Sequence, residues 1–589
     1  MKFTLLSGLL PVFALALPSF GTDGLHYHSL KARAQNLPTL KLPYGTWQAT
    51  KYDSANDLYV FRNIRFAAAP VGPLRFAKPA PPIPTDKLQT GAQGGTCAQS
   101  APPSLLSGAM GSGLGSMAAG LVGNMDLGKA MGGGPTSEDC LFLDLYVPSK
   151  ALKGNVKLPI INWIYGGAYI LGSKDGMYDG TGIVKNSGNN VIYVAGNYRL
   201  GAFGFLSGST IEKEGTPNAG FWDQRAVLQW IHDYAPLFGG DEKDVSLWGE
   251  SAGAGSIMHQ LTAFGGNQPS LFKKAVVESP AYDVWVDRKN DLEQKFQNLL
   301  KVAGCSGKGV ECLRALSFTA MRAAQDKYIA TLPEGKFGFG PATDGNFVRQ
   351  LPALEFASGN FDKNVESLIL SHVSDEAGMF VKDPGNNETA FQALLEYNWG
   401  KHDIVNEAML KHYPVKSEKW KTQKERIHEF VQTTIFTCNV RYMTEAYKGK
   451  TYNLQYARGA GTHGSDITPT FFTSPGVFGG QSAKISQQYQ SYLISHARTG
   501  DPNRLKIGGL IEWPKVEWGP RLKEVLNVTD VGFSLIADDK TTAEDCDLWK
   551  DVMAALTVGG GYSPPGAIVE SALLAGKADV IAKASTNFQ

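Results

Sequence analysis

The chain has 589 residues, of which 43% are hydrophobic and 19% are charged, and its formal net charge is +1. This length allows one very large domain or about four of average size, and the composition is typical of a globular protein with a large core. The near-neutral charge argues against nucleic acid as a partner. The ten histidines are scattered and fall in no metal-binding motif, so neither a metal nor another cofactor is expected.

The first residues have the pattern of a secretory signal peptide. Lys2 supplies the positive region, residues 3–15 the apolar region and residues 14–16 an Ala-Leu-Ala cleavage site. A membrane anchor is the alternative, but the apolar run is short and contains Gly8 and Pro11. We predict a secreted, extracellular protein with a signal peptide at 1–16, one domain at 17–557 and a tail at 558–589. No transmembrane anchor is expected, because no later run reaches about 18 apolar residues.

Strand-like and helix-like segments alternate through the first half of the chain. Strands are predicted at residues 159–165, 190–198, 245–248 and 274–278, and a helix at 221–235. Two long helical regions are predicted at 282–303 and 416–447. Buried strands that alternate with helices indicate an α/β fold with a large, mostly parallel sheet covered by helices on both faces. No linker or internal repeat divides the domain.

An unusual segment lies between the first two cysteines. Residues 101–136 are rich in Gly, Ala, Met and Leu, contain no aromatic residue, and carry charge only at Asp126 and Lys129. Dense glycine disfavours a stable helix. We predict an apolar, lid-like surface loop over residues 97–140.

Six cysteines in a secreted chain imply up to three disulfides, with fifteen connectivities open. Cys305 and Cys312 are near enough in sequence to close a small loop, Cys97 and Cys140 flank the lid-like loop, and Cys438 and Cys546 remain. Two sequons predict glycosylation at Asn387 and Asn527.

The strongest motif is Gly249-Glu250-Ser251-Ala252-Gly253. It follows the predicted strand at 245–248 and precedes a helix-compatible run, which is the setting in which a G-x-S-x-G serine becomes a nucleophile. The flanking glycines suit a tight, strained turn, in which a Cβ atom would collide with its neighbours. Ser251 is therefore the candidate nucleophile. Glu250 either tunes the site or is a buried structural carboxylate, and the sequence leaves this open.

A serine hydroxyl needs a base, and His463 is the best candidate. It lies in a run of small residues, Gly459-Ala460-Gly461-Thr462-His463-Gly464, which suits an imidazole on a tight loop after the nucleophile. The other histidines downstream fit less well. His402, His412 and His428 lie in charged, helix-like segments and are expected at the solvated surface. His496 lies in another helix-like segment.

The acid that orients the base is expected between Ser251 and His463. Asp375 and Glu376 follow the apolar run 367–370, where a strand should end. Only one of the two carboxylates can point at the imidazole, and the other is expected to be a solvated or structural charge. His372 is too close in sequence to the acid to be the usual base, so we interpret it as a packed neighbour of the site.

Backbone N–H groups that stabilise an oxyanion are predicted at two places. Gly167 and Ala168 follow the strand at 159–165, and small residues there let a substrate approach the backbone. Ala252, directly after the candidate nucleophile, supplies a third N–H group.

These motifs resemble the type-B carboxylesterase and lipase family over roughly residues 40–550. The similar blocks are the region 238–253, which contains the nucleophile motif, and residues 138–148, 197–199, 223–225 and 499–503. The resemblance implies an α/β-hydrolase fold with a helical cap region, one catalytic domain and hydrolysis of carboxylic esters through an acyl-enzyme. It assigns Ser251 as nucleophile, His463 as base and Glu376 as acid, with Asp375 as the alternative acid.

The resemblance also implies disulfides Cys97–Cys140 and Cys305–Cys312, and a third bridge found in part of the family, Cys438–Cys546. It places Gly167, Ala168 and Ala252 in the oxyanion hole. Many members have glycine where this chain has Ala168, Ser371 and Ala377. An alanine N–H still donates, whereas Ala377 weakens the choice of Glu376 over Asp375.

The lid-like loop bears on the substrate. Choline-ester hydrolases of this family carry a tryptophan in that region for cation–π binding, and this loop has no aromatic residue. Its apolar composition suits acyl chains, a lipid or small-molecule ester and an oil–water interface, although a plain surface loop has the same composition. Two alternatives remain: a non-catalytic binding or adhesion protein on the same fold, and an esterase for a phenolic or toxin ester.

Overall fold

A long twisted sheet forms the centre of the molecule in the computed structural model. The structure describes residues 37–100, 135–154, 156–332, 336–400, 403–474 and 480–559. The predicted signal peptide, nearly all of the tail and residues 101–134 of the lid-like loop lie outside these ranges. The described residues from Pro38 onward belong to one compact unit.

The described strands make one eleven-stranded sheet and a small hairpin of β1 and β2. Their bounds are β1 (Thr39–Leu42), β2 (Gly45–Gln48), β3 (Lys51–Asp53), β4 (Leu58–Arg65), β5 (Phe142–Pro148), β6 (Leu158–Ile164), β7 (Ile192–Gly196), β8 (Gly240–Glu250), β9 (Lys274–Glu278), β10 (Ser367–Val373), β11 (Thr451–Tyr456), β12 (Val525–Thr529) and β13 (Gly532–Ile536). The sheet order is β13-β12-β11-β10-β9-β8-β6-β7-β5-β4-β3.

Adjacent strands from β7 through β6, β8, β9, β10 and β11 to β12 are parallel, and the strands beyond both ends of this run are antiparallel. Every residue of β7, β9 and β10 is buried, as expected for strands covered on both faces. Each fully buried aliphatic side chain stabilises the fold by about 1.5–3 kcal/mol. The predicted large, mostly parallel sheet is confirmed.

Helices cover the sheet and build a cap region from the segments after β9 and β10. The helices are α1 (Ser149–Leu152), α2 (Thr181–Asn186), α3 (Gly201–Phe205), α4 (Ser209–Glu214), α5 (Ala219–Tyr234), α6 (Ala252–Thr262), α7 (Asp291–Val302), α8 (Gly309–Ala315), α9 (Phe318–Ile329), α10 (Pro352–Ala357), α11 (Ala390–Trp399), α12 (Asp403–His412), α13 (Gln423–Val431), α14 (Cys438–Ala446), α15 (Ile467–Thr470), α16 (Gly480–Thr499) and α17 (Ala543–Gly559). A π turn, Gln432–Thr437, joins α13 to α14. Four 3₁₀ turns lie at Gly72–Leu74, Gly176–Tyr178, Ala235–Phe238 and Ala263–Gly266.

The prediction of a helix over 282–303 is wrong in its first part, because α7 begins only at Asp291. The carboxylate of Asp287 accepts hydrogen bonds from the backbone N–H groups of Lys289 and Asn290, at 3.2 and 2.9 Å. Such a local side-chain turn competes with helix formation. The residues before it run without regular structure along the wall of the cavity described below.

The structure contains the three expected disulfides, Cys97–Cys140, Cys305–Cys312 and Cys438–Cys546. The first joins the two ends of the lid-like loop. The sequon at Asn387 is exposed, whereas Asn527 is half-buried in β12 and its Oδ1 accepts from Nε2 of Gln455 at 3.2 Å. Glycosylation of either asparagine stays a prediction. Among the described helices, none is long and apolar enough to cross a membrane.

Candidate active site

The candidate nucleophile lies on a strained turn between β8 and α6. Ser251 has φ +56° and ψ −124°, a backbone conformation that non-glycine residues rarely adopt outside functional sites. Its N–H donates to the carbonyl of Glu278 at 2.9 Å, and its carbonyl accepts from the N–H of Gly255 at 2.8 Å. These bonds fix the turn and leave the hydroxyl at the carboxyl end of the sheet.

The small residues of the motif are required by close backbone packing. A Cβ atom on Gly253 would lie 2.0 Å from the carbonyl oxygen of Ile164 in β6. One on Gly249 would lie 2.8 Å from the carbonyl carbon of Gly253. Both distances are far inside van der Waals contact, so the turn can form only with glycine at these positions.

His463, on the loop after β11, connects the serine to a carboxylate. Its Nε2 lies 2.8 Å from the Oγ of Ser251, and its Nδ1 lies 2.6 Å from the Oε2 of Glu376. Gly461 and Gly464 have φ values of +57° and +79°, which explains the small residues around the histidine. With Glu376 ionised, Nδ1–H donates to it, and Nε2 is left to accept the hydrogen of the serine hydroxyl.

The structure separates the two adjacent carboxylates. Glu376 is fully buried, and its Oε1 accepts from the N–H of Val373 at 2.9 Å while Oε2 faces the imidazole. Asp375 points elsewhere: its Oδ1 accepts from the N–H of Gly378 at 2.9 Å and lies 2.6 Å from Nε2 of His428. The geometry therefore favours Glu376 as the partner of His463 and gives Asp375 a structural role.

Charge around the imidazole favours its protonated form. Burial lowers the pKa of His463, but the carboxylates of Glu250 and Glu376 outweigh that effect and raise the pKa to about 9. Two phenyl rings also contact the imidazole: the ring centroids of Phe380 and Phe436 lie 5.2 and 4.7 Å from its own. The site thus stabilises the imidazolium that forms when the base accepts a proton.

Glu250, whose role the sequence left open, faces the base. It is 3% exposed, and its Oε1 lies 3.3 Å from Nε2 of His463. Burial raises its pKa above the ordinary carboxyl value. It therefore belongs to the electrostatic surroundings of the base and is not a remote structural charge.

Two further buried carboxylates, neither of them predicted from the sequence, lie near the candidate site: Asp466 beside the base and Glu278 beside the serine. Asp466 is fully buried, and burial with the charge of Glu376 raises its pKa to about 7. The Oε1 of Glu278 accepts from the hydroxyls of Thr470 and Tyr489, at 2.8 and 2.7 Å. In the sequence, Asp466 could have been recognised as a candidate because it is an acidic residue three positions after His463 in a run of small residues.

Four histidines downstream of Ser251 that the structure describes make structural contacts away from the serine. His372 is buried, and its Nε2 lies 2.9 Å from Oδ2 of Asp538. The expectation that His412 and His428 are solvated is wrong, because their side chains are 18% and 25% exposed and each is paired with an aspartate. His496 is buried within α16, 3.0 Å from the Oγ of Ser367, and His402 lies outside the described residues.

Two of the three residues predicted to supply oxyanion-binding N–H groups, Ala168 and Ala252, line the same cavity as Ser251. Gly167 has φ +112°, and a Cβ atom there would lie 2.2 Å from the carbonyl oxygen of Leu171. Ala168 has φ +52°, and Ala252 is the first residue of α6. No described residue accepts a hydrogen bond from these three N–H groups, so they are available to a ligand.

A cavity of about 490 Å³ opens onto the serine. Its wall includes Ala168, Ser251 and Ala252, and it is mainly apolar. Aromatic rings contribute much of the wall, namely those of Tyr169, Tyr282, Phe337, Phe339, Phe380, Tyr397 and Phe436. The charged lining residues are Asp283, Lys336 and Lys382. Among the described residues, no group of His, Cys, Asp and Glu side chains is arranged to hold a metal ion.

The chain is similar to known proteins along most of its length. The model of the carboxylesterase family matches residues 36–549. A secreted lipase of Arthroderma benhamiae is 37% identical, over 89% of this chain and 95% of its own length. Lipase 1 of Geotrichum candidum is 31% identical, over 81% of this chain and 90% of its own.

The crystal structure of Aspergillus niger EstA has a similar fold. It superposes with a TM-score of 0.73 at 24% sequence identity, and the match covers 88% of this chain and 99% of the other. The predicted α/β-hydrolase fold is thereby confirmed. With a family match across nearly the whole described chain, this protein belongs to the carboxylesterase family and is a carboxylic ester hydrolase.

Proposed function

We propose that the protein is a secreted serine hydrolase that cleaves apolar carboxylic esters through a covalent acyl-enzyme. One observation carries the proposal: Nε2 of His463 lies 2.8 Å from the Oγ of Ser251, and Nδ1 lies 2.6 Å from the buried carboxylate of Glu376. This is the order of nucleophile, base and orienting acid that acyl transfer requires.

In the first half-reaction, His463 removes the hydroxyl proton as the Oγ of Ser251 attacks the ester carbonyl carbon. The carbonyl oxygen becomes an oxyanion, which accepts hydrogen bonds from the N–H groups of Gly167, Ala168 and Ala252. The imidazolium then gives its proton to the leaving alkoxide, and the alcohol departs. The acyl group remains bonded to Ser251.

In the second half-reaction, water takes the place of the alcohol. His463 removes a proton from the water as it attacks the acyl carbon, and the proton then passes to the Oγ of Ser251. The carboxylic acid leaves, and the serine is regenerated. Glu376 holds the imidazole tautomer throughout and stabilises its positive charge.

The cavity supports an apolar substrate. Its wall is mainly aromatic and aliphatic, and such a surface favours an acyl chain over a strongly hydrated group. The name of the Arthroderma benhamiae relative, "Secreted lipase", agrees with both a lipid ester and export. Three disulfides are typical of proteins from an oxidising compartment.

A narrow esterase for a non-lipid ester is the second candidate. The aromatic rings of the cavity also suit a compact or aromatic acyl group, and the chain is 30% identical to "Carboxylesterase patB" of Penicillium expansum. Activity toward p-nitrophenyl esters of increasing acyl length separates the two. A lipase gains activity with medium and long chains, whereas an optimum at acetyl or benzoyl esters favours the second candidate.

The proposed nucleophile is tested with Ser251→Ala. We expect this variant to lose p-nitrophenyl ester hydrolysis by at least about a thousandfold. Ser256→Ala is a matched control, because Ser256 is a buried serine of α6 whose hydroxyl donates to the carbonyl of Ala252. Full activity in Ser251→Ala would refute the mechanism.

A further inference from the structure

One face of a long helix contacts both the acid and the base of the proposed triad. α13, the π turn and α14 follow each other without a break from Gln423 to Ala446. On this face, residues 428, 432 and 436 are spaced four apart. Nε2 of His428 lies 2.6 Å from Oδ1 of Asp375, and the Oε1 of Gln432 accepts from the N–H of Glu376 at 3.3 Å.

The third member of the face is Phe436, whose ring packs against the imidazole of His463 with the centroids 4.7 Å apart and the planes tilted by 57°. Phe380 contacts the same imidazole edge to face at 5.2 Å and stacks on Phe436 at 5.7 Å. Aromatic contacts at these distances fix ring orientation. They restrict rotation of the imidazole, and with it the direction of Nε2 toward Ser251.

The π turn affects how Phe436 is aligned with His428. Four residues overshoot one α-helical turn of about 3.6 residues, so side chains at this spacing drift around a regular helix. The wider π turn, closed by the hydrogen bond from the N–H of Cys438 to the carbonyl of Thr433, drifts in the opposite sense. Phe436 therefore lies closer to the line of His428 than it would on a regular helix. Single π turns inside α-helices are frequent at functional sites.

Burial makes these contacts restrictive. Gln432 and Phe436 are 1% and 3% exposed, so neither side chain can move to solvent. The N–H of Glu376 is buried with its residue, and the amide oxygen of Gln432 is its acceptor. Without that acceptor the backbone must shift or leave the N–H unpaired, which is costly in a buried site.

We infer that Gln432 and Phe436 are positioning residues for the ester hydrolysis proposed above, on which this inference rests. Gln432 fixes the backbone of the acid, so that Oε2 of Glu376 stays 2.6 Å from Nδ1 of His463. Phe436 fixes the ring of the base. The two residues lie four positions apart, which places both on one helix face.

The test compares Gln432→Met, which keeps side-chain length but removes the acceptor oxygen, with Thr434→Val. Thr434 lies in the same π turn, is buried, and its hydroxyl donates only to the carbonyl of Phe430. With p-nitrophenyl acetate we expect Gln432→Met to lower kcat about tenfold with KM within twofold of wild type. Thr434→Val should keep both constants.

Phe436→Leu is the second variant, so that a folding defect in the first leaves the inference testable. It should lower kcat for the acetate ester about fivefold, because the aromatic contact with the imidazole of His463 is lost. Wild-type kcat in either folded variant, or a rise in KM at constant kcat, would overturn the inference. If the wild-type enzyme is inactive or Ser251→Ala is active, the proposed function fails instead, whatever these variants do.

Discussion

The pair Asp375 and Glu376 allows a sharp test, because neighbouring carboxylates have different contacts. In Glu376→Gln the charge facing Nδ1 of His463 is lost, and the amide no longer enforces the tautomer that leaves Nε2 free. The attraction between an imidazolium and a carboxylate about 4 Å apart is about 4 kcal/mol at an effective dielectric constant near 20. That energy corresponds to about a thousandfold in kcat.

The matched control is Asp375→Asn. Its Oδ1 still accepts from the N–H of Gly378 and still meets His428, and the residue does not touch the imidazole. We expect kcat of this variant to stay within about threefold of wild type, because Asp375 has no direct role in the reaction. Steady-state hydrolysis of p-nitrophenyl butyrate at neutral pH measures both variants, with circular dichroism as the check on folding. Loss of activity in Asp375→Asn, with activity kept in Glu376→Gln, would refute the assignment of the acid.

Further predictions concern the pH dependence of the reaction, the strained turn at Ser251 and a disulfide. Neutral His463 acts as the base, and nearby carboxylates raise its pKa to about 9. The value of kcat/KM should therefore still rise with pH above 7. A pH profile of kcat/KM with its midpoint at or below 6.5 would contradict this. Gly253→Ala places a Cβ atom 2.0 Å from the carbonyl oxygen of Ile164, so activity should fall more than about a hundredfold. A near-normal kcat would contradict the clash expected at this position. Replacing Cys438 and Cys546 with serine removes a disulfide that joins residues 108 positions apart. The free energy of unfolding should fall by about 4–5 kcal/mol. An unchanged thermal midpoint would contradict that value.

The fold was predictable because its central strands carry a local signal. Buried parallel strands read as short apolar runs between helical segments, and the run at 274–278 coincides with β9. The start of α7 was not predictable from periodicity, since the turn at Asp287 depends on a side chain that bonds its own backbone. None of the antiparallel strands at the two ends of the sheet was predicted, although β5 is a buried and largely apolar run.

The candidate site was predictable where residues are constrained locally. The glycines around Ser251 and His463 are explained by close packing and positive φ. The choice between Asp375 and Glu376 depends instead on contacts with residues 53 to 87 positions away. The buried surroundings of Glu250 likewise depend on tertiary packing, which no single segment of sequence encodes.

The central claim is that Ser251 becomes acylated during turnover. Rapid mixing of the enzyme with a p-nitrophenyl ester, followed by mass spectrometry of the acid-quenched protein, measures this directly. The account predicts a burst of one p-nitrophenol per enzyme and an acyl adduct on the peptide that contains Ser251. Turnover with no burst and no adduct, or an adduct on another residue, would contradict it.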